Sequence, residues 1–374
     1  MANAAAPTIV DVAQQIVDDI RRRKLRRGDP YLNTAETAQL LRVSGSTVNR
    51  ALQLLAQRGV IQRRQRQGTF IAALDAEAPL RRVHVVIRQD HLRTEGLWAD
   101  GVLLGMQGAL PGVELQFNFR PLVDEADYVN QLIGDVLRSR QAAGFVLIRS
   151  TVMVQRLVAA SGLPAVVSGT LQPSVRDLPS VERDQAQIGR LLAEHLVERR
   201  CGRFLILFRD RITAGDHVML DGALAVLAQA GVDLARIVIR CLPSDEEAIA
   251  AALTEVLEPG HDRWGVLCRS ELLARGADVA AAACKFTKPR TPAIVVADVA
   301  RGSDVAPTHT CIETTITPAE WGAELGRSLA AAARGVRPDP YRKIIHVRLL
   351  HASDRSSASI SSRRPRRLKR ENSP

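Results

Sequence analysis

With 374 residues, 46% of them hydrophobic and 24% charged, the chain has an ordinary globular composition and room for a small module beside a domain of about 270 residues. No apolar run approaches the ~18 residues of a membrane span, MANAAAPTIVDVAQ lacks the basic start and continuous apolar core of a secretory signal, and Cys201, Cys241, Cys268, Cys284 and Cys311 are scattered without a CxxC pair. A cytoplasmic protein is therefore expected, without disulfides, a metal site or a cofactor. The net charge of +11 collects at the ends: residues 1–74 hold 12 Lys/Arg against 5 Asp/Glu and residues 354–374 hold 7 against 2, leaving the body nearly neutral. Basic ends on a neutral body suggest a localised polyanion contact, because phosphate neutralisation needs Lys and Arg gathered on one surface.

Ile9, Val12, Ala13, Ile16, Val17 and Ile20 recur at helical spacing and predict a first helix that fades into the basic run Arg21–Lys24 and stops near Gly28. Asn33, with Glu36 three residues on, reads as the cap and return contact of a second helix over 34–42. Ser44 caps a third, with Val48, Ala51, Leu52 and Leu55 as its buried stripe and Gly59 at its end. Val60–Arg64 and Thr69–Ala72 are short β-prone runs joined by Gln65-Arg66-Gln67-Gly68. Three helices followed by a basic hairpin make a winged helix-turn-helix, whose third helix enters the major groove.

These residues resemble the GntR family of bacterial regulators. The family's spaced pattern is present as Gly28-Asp29, Val43-Ser44, Thr47-Val48, Ala51-Leu52, Leu55, Gly59, Ile61 and Gly68-Thr69-Phe70-Ile71. Three positions where the family usually carries DNA-contacting arginines hold Ala35, Gly45 and Asn49 instead. Asn pairs bidentately with adenine where Arg prefers guanine. The expected DNA-binding residues are Ser44, Ser46, Thr47, Asn49 and Arg50 on the reading helix, with Arg64, Arg66 and Gln67 on the wing. Ser44 and Thr47 also have a plain capping role open to them.

From Arg82 onward, apolar runs alternate with helical patterns. Val83–Ile87, Val113–Phe119, Gly144–Ile148, Ala165–Val167, Phe204–Phe208, Ile237–Ile239, Gly265–Cys268 and Ile294–Ala297 read as buried strands, and 96–110, 125–140, 185–199, 216–230, 245–257 and 318–334 as helices. This alternation predicts an α/β fold of parallel sheets covered by helices on both faces, with ligands held beyond the carboxyl ends of the strands.

The order of landmarks resembles the effector domain of the LacI family, which shares its fold with periplasmic sugar-binding proteins. Leu163-Pro164-Ala165-Val166-Val167 is similar to the family's fourth strand, Ser180-Val181 through Asp184 to its crossing into the second lobe, and Asp221-Gly222 to a helix opening. Ser270-Glu271 stands where the family often has Asn-Asp, and Val295 through Asp298 at the last crossing. A GntR-type reader on a LacI-type sensor is the arrangement of the arabinose-repressor branch. The resemblance implies a two-lobed periplasmic-binding-protein-like domain with two parallel sheets. Its first lobe would take 82–182 and a segment near 315–338. It further implies a homodimer on an operator, and a small, sugar-like effector in the cleft between the lobes that controls operator affinity. The domains are then 1–74 for the reader, 75–81 for a linker, 82–352 for effector binding and dimerisation, and 353–374 for a disordered basic tail.

The implied effector-binding residues are Trp98, as a stacking surface, Asp298, as an acceptor for sugar hydroxyls, and Arg149, Asp184, Ser270 and Glu271 at neighbouring strand ends. Met219 replaces a common ligand-binding Arg, and Gly169 stands where an acid is frequent. The ligand is thus either something other than an ordinary pentose or hexose, or absent, with the domain serving only to dimerise. An enzyme is the third possibility. The chain has no GxGxxG after a strand, no GxxxxGK[ST], no HExxH and no GxSxG, and His91, His195, His217, His261 and His309 are isolated.

Overall fold

The computed structural model describes residues 8–26, 28–57, 60–64, 67–72, 80–89, 100–139, 141–287, 290–299, 307–336, 338 and 341–352. Trp98, Arg66, Gly59, the tail 353–374 and linker residues 75–79 lie outside the described residues.

The N-terminal module opens with α1 (Ile9–Arg22), capped by a reciprocal Thr8–Asp11 pair. Val12, Ala13, Ile16 and Ile20 on this helix are fully buried. β1 (Pro30–Tyr31), α2 (Thr34–Leu41) and α3 (Gly45–Gln57) follow, then the antiparallel hairpin of β2 (Ile61–Arg64) and β3 (Gly68–Ile71). Asn33 and Glu36 make both halves of the anticipated capping box. β1 was not anticipated: two residues pair with β3 and close a sheet of order β1-β3-β2. The approach to β1 turns at Gly28, whose φ of 94° is open to glycine and strained for other residues. Its N–H donates to the Ile71 carbonyl, while the Ile71 N–H donates to the Asp29 carbonyl.

The rest of the chain forms two six-stranded sheets. One contains β4 (Arg82–Arg88), β5 (Glu114–Arg120), β6 (Ala143–Ile148), β7 (Ala165–Ser168), β8 (Ser180–Arg183) and β14 (Arg342–Ile345), all parallel, in the order β14-β8-β7-β6-β4-β5. Strand alternation divides its core. Val83, Val85, Ile87, Val146 and Ile148 pack with Met106 of α4 (Asp100–Ala109) and with Leu325 and Leu329 of α11 (Pro318–Ala333). Val86, Phe145 and Leu147 face Val129 and Ile133 of α5 (Glu125–Ser139) and Val154 and Val158 of α6 (Val152–Ser161). The other sheet has the order β10-β9-β11-β12-β13-β15, from β9 (Arg203–Arg209), β10 (Ile237–Leu242), β11 (Trp264–Cys268), β12 (Ala293–Val296), β13 (Thr310–Thr314) and β15 (Val347–Leu350). Only the β13–β15 pair within it is antiparallel. Phe204, Ile206 and Phe208 pack with α7 (Gln185–Glu198) and α8 (Ala214–Gln229), whereas Leu205 and Leu207 pack with α9 (Glu246–Thr254) and α10 (Glu271–Ala283).

The chain divides into two compact units: Met1–Arg183 with Thr213–Gly215 and Ile316–Ile345, and Asp184–Ile212 with Asp216–Thr315 and His346–Pro374. The same packing device recurs in each. A Cβ on Gly105 of α4 would overlap the Ala319 carbonyl, and one on Gly322 of α11 the Val102 carbonyl. In the other unit Gly189 of α7 meets the Met219 carbonyl and Gly222 of α8 the Ala186 carbonyl. Two runs expected to be buried are not. β5 and β10 are edge strands with a single neighbour, which leaves Phe117, Phe119 and Ile239 exposed.

Candidate nucleic-acid interface and effector site

On the reader, Ser44 caps α3 by accepting from the Thr47 N–H at 3.1 Å, and its hydroxyl lies 2.9 Å from that of Ser46 and 2.7 Å from that of Thr47. Ser44 and Ser46 are exposed and Thr47 half-buried, so three hydroxyls and the N-terminal amides of a helix without first-turn acids form one surface suited to a phosphate. Arg50 is exposed one step further along. Asn49 is half-buried, and its side-chain oxygen accepts a 2.8 Å hydrogen bond from Arg63 of β2. The wing thereby holds the amide of the reading helix in one orientation. Arg64 lies over the Phe70 ring at 4.8 Å, and Gln67 is exposed at the tip. The basic run is partly structural. Arg22 and Arg23 both pair with the buried Asp19, which also accepts from the Tyr31 hydroxyl. Burial raises the Asp19 pKa, but hydrogen bonds from Arg22, Arg23 and Tyr31 outweigh it and hold the carboxyl below its usual range.

At the carboxyl ends of β9, β11 and β12, Arg209, Arg269, Asp216 and Asp298 form one buried ionic cluster. Asp298, with 13% of its side chain exposed, is 2.8 Å from Arg269 Nη1 and 3.4 Å from Arg209 Nη2, while Arg269 Nε also pairs with Asp216. The Asp298 carbonyl accepts from the Glu271 N–H. In the other unit, the carboxyl ends of β5 and β6 carry a second cluster. Arg120, 1% exposed, pairs with Glu125 and donates to the Arg149 carbonyl at 2.8 Å, and Thr151 also bonds to Glu125. Among the described residues no group of three His, Cys, Asp or Glu could hold a metal ion. Burial pushes the Cys201 thiol up to about 11 and that of Cys268 higher still, so neither offers a thiolate at neutral pH.

Residues 81–301, more than half of the chain, match periplasmic binding proteins and the sugar binding domain of the LacI family. The chain belongs to that family. Residues 8–71 match the bacterial regulatory proteins of the gntR family, so this LacI-type protein carries a GntR reader and is a transcription regulator. Solved structures share the fold. The probable maltose operon transcriptional repressor malR from Staphylococcus aureus aligns at 16% identity and a TM-score of 0.60, covering 73% of this chain and 98% of that one. A CelR–cellobiose complex aligns at 19% identity and a TM-score of 0.59, with 86% and 98% covered. A LacI family regulator from Enterococcus faecium with bound ribose gives 14% identity, 0.55, and 72% and 97%. No curated protein sequence matches the chain. No helix among the described residues is long and apolar enough to cross a membrane.

The anticipated effector residues of this LacI-type domain stand at the following places. Ser270, Glu271 and Asp298 come together at the ends of β11 and β12. Asp184 caps α7, accepting from the Gln187 N–H at 2.9 Å. Arg149 sits in the other unit at a positive φ of 46°. Met219 is fully buried in the core of the second unit. Sequence reasoning passed over Arg209, Arg269, Asp216, Arg120 and Arg63. A usable signal was present, because arginine stands at or just past the end of strand after strand.

Proposed function

We propose that the protein is a repressor that holds a pseudo-palindromic operator as a homodimer and releases it when a small effector binds at the carboxyl ends of the strands. Residues 1–74 act as the reader and 82–352 as the effector-binding and dimerisation domain. The observation that carries the DNA half is the reading helix: exposed Ser44, Ser46 and Arg50, with Asn49 oriented by Arg63 from the adjacent wing. One such helix covers only a few base pairs, so two copies are needed to read half-sites one turn apart. Sugar ligands in related structures support an effector of the same general kind here, with Asp184, Ser270, Glu271 and Asp298 among its contacts. The protein works in the cytoplasm, where its operator is.

Selection of bound sequences from a random DNA pool, followed by titration of the recovered site with candidate effectors, tests this. The expected result is an enriched two-fold motif whose affinity falls when an effector is added. Failure to enrich any motif rejects the operator reading. A second reading, in which the α/β domain only dimerises, is favoured by the Asp298 carboxylate already being held by two guanidinium groups. It predicts that operator binding responds to no small molecule.

A further inference from the structure

Four neighbouring parallel strands of the second unit, in the order β10-β9-β11-β12, are each entered past an arginine. Arg236 precedes β10, Arg203 opens β9 behind Arg199 and Arg200, Arg263 precedes β11, and Arg290 lies shortly before β12. Parallel strands begin at one edge of their sheet, so arginines scattered through the sequence meet along that amino-end rim. Hydrogen bonds tie the segments together. Arg236 donates to the Gly202 carbonyl at 3.2 Å, Arg263 to the Thr291 carbonyl at 2.8 Å and the Arg199 carbonyl at 3.5 Å, and Arg290 to the Gly260 carbonyl at 3.3 Å. Arg203 lies over the Trp264 ring at 4.3 Å. Carbonyls and a ring carry no net charge, so these partners orient the guanidinium groups without neutralising them. Acids at this end are fewer. Asp262 pairs with Arg236 at 3.3 Å, Asp233 spends its carboxylate on the Ala235 N–H, and Glu198 and Glu258 are exposed. A cation after the C-terminus of α7 is an ordinary companion of the helix dipole, which accounts for Arg199 and Arg200. It does not account for Arg263 and Arg290, which stand well past the ends of α9 and α10. The positive potential is felt inside: burial, and after it the charge of Arg199, hold the His195 ring below the usual histidine range.

We propose that this rim is a second DNA-binding surface, which takes the phosphate backbone of duplex beyond the segment held by the reader and does not read its sequence. Arg199, Arg200, Arg236 and Arg290 are exposed, and Arg203 and Arg263 half-buried, so the row is open to a partner. Four strands about 4.8 Å apart span about 14 Å, a length over which a duplex carries about eight phosphate charges. Guanidinium forks match phosphate oxygens, and stems already held by carbonyl contacts lose little freedom on binding. A line of like charges suits DNA better than an acidic protein face, and a chain already held by its reader meets neighbouring duplex at high effective concentration.

Fluorescence anisotropy of the full chain tests the proposal, with a random-sequence duplex of about 40 base pairs and poly-L-glutamate as probes. Arg50→Ala with Arg64→Ala weakens the reader, and the chain so changed should still bind the duplex with an affinity that falls steeply with salt. In that background Arg199→Gln, Arg200→Gln and Arg290→Gln together should weaken the duplex about tenfold and reduce the log–log salt slope by roughly two to three. All three residues are exposed, so circular dichroism and melting temperature should stay those of the parent. The three corresponding lysine changes keep the charge and should retain most of the binding. Duplex binding unaltered by the three glutamines overturns the proposal, as does a reader-weakened chain that binds no duplex. Equal losses in the lysine and glutamine variants would mean that these guanidinium groups hold the loops and not DNA, and overturn it as well. Poly-L-glutamate binding that the glutamines abolish while duplex binding persists would make the rim a surface for acidic proteins, and that too overturns the proposal.

Discussion

Asp298→Ala is the most informative single change in the second unit. It removes a carboxylate that touches two guanidinium groups, both buried at 7% and 6% side-chain exposure, and leaves Arg209 and Arg269 with Asp216 as the remaining acid of the cluster. Breaking a buried pair by deleting one partner costs about 3–5 kcal/mol. The lower end applies, because Asp298 is partly hydrated and Asp216 still neutralises one charge. A loss of about 3 kcal/mol should lower the melting temperature of this unit by roughly 6–12 °C. Asp298→Asn, which keeps an acceptor, should lose less. Differential scanning calorimetry reads both. A melting temperature of Asp298→Ala within a degree of wild type would refute the reasoning.

Asn49→Ala and Arg50→Ala should each cost roughly 1–3 kcal/mol on the selected operator and relax one or two base pairs, whereas Arg64→Ala should weaken all DNA and flatten the salt slope by about one; equal losses on operator and random DNA in fluorescence anisotropy would remove Asn49 and Arg50 from the base edges. Arg63→Ala, which frees the Asn49 amide, should reproduce part of the specificity loss of Asn49→Ala in the same assay. The Asp19 carboxyl is depressed in the folded reader, so its stabilisation is fully present above the ordinary aspartate pKa and is lost as pH falls through the folded value. Asp19→Asn should therefore lower the reader's thermal stability at neutral pH and narrow the gap to wild type in acid, and a gap independent of pH would count against the pairing. Gly189→Ala should destabilise the second unit by roughly 1–3 kcal/mol, because the added Cβ overlaps the Met219 carbonyl; a stable variant in urea unfolding would show that α7 and α8 can part. Residues 82–352 should sediment as a dimer at micromolar concentration, and a monomer, with the full-length chain also monomeric, argues against dimerisation through this domain.

Local chemistry made the reader legible in the sequence. Asn33 and Glu36 are a capping box wherever they stand three apart ahead of an apolar run, and Val48, Ala51, Leu52 and Leu55 can share one helix face in only one way. The strands of both sheets were equally visible where both faces are covered, because burial on two sides demands unbroken apolar runs such as Phe145-Val146-Leu147-Ile148. Edge position was not visible. Phe117 and Ile239 look like core residues until the strand order shows that β5 and β10 have one neighbour each. β1, β8, β13, β14 and β15 were not read as strands, because two to five residues carry little periodicity. The site divided in the same way. Ser44 as a cap follows from its neighbours, but the grip of Arg63 on Asn49 joins residues 14 apart and needs the hairpin folded back beside α3. Asp298 was chosen from the sequence as a lone acceptor. Only the parallel registration of β9, β11 and β12 sets Arg209 and Arg269 against it, since strands side by side bring their carboxyl ends together whatever the distance between them in sequence.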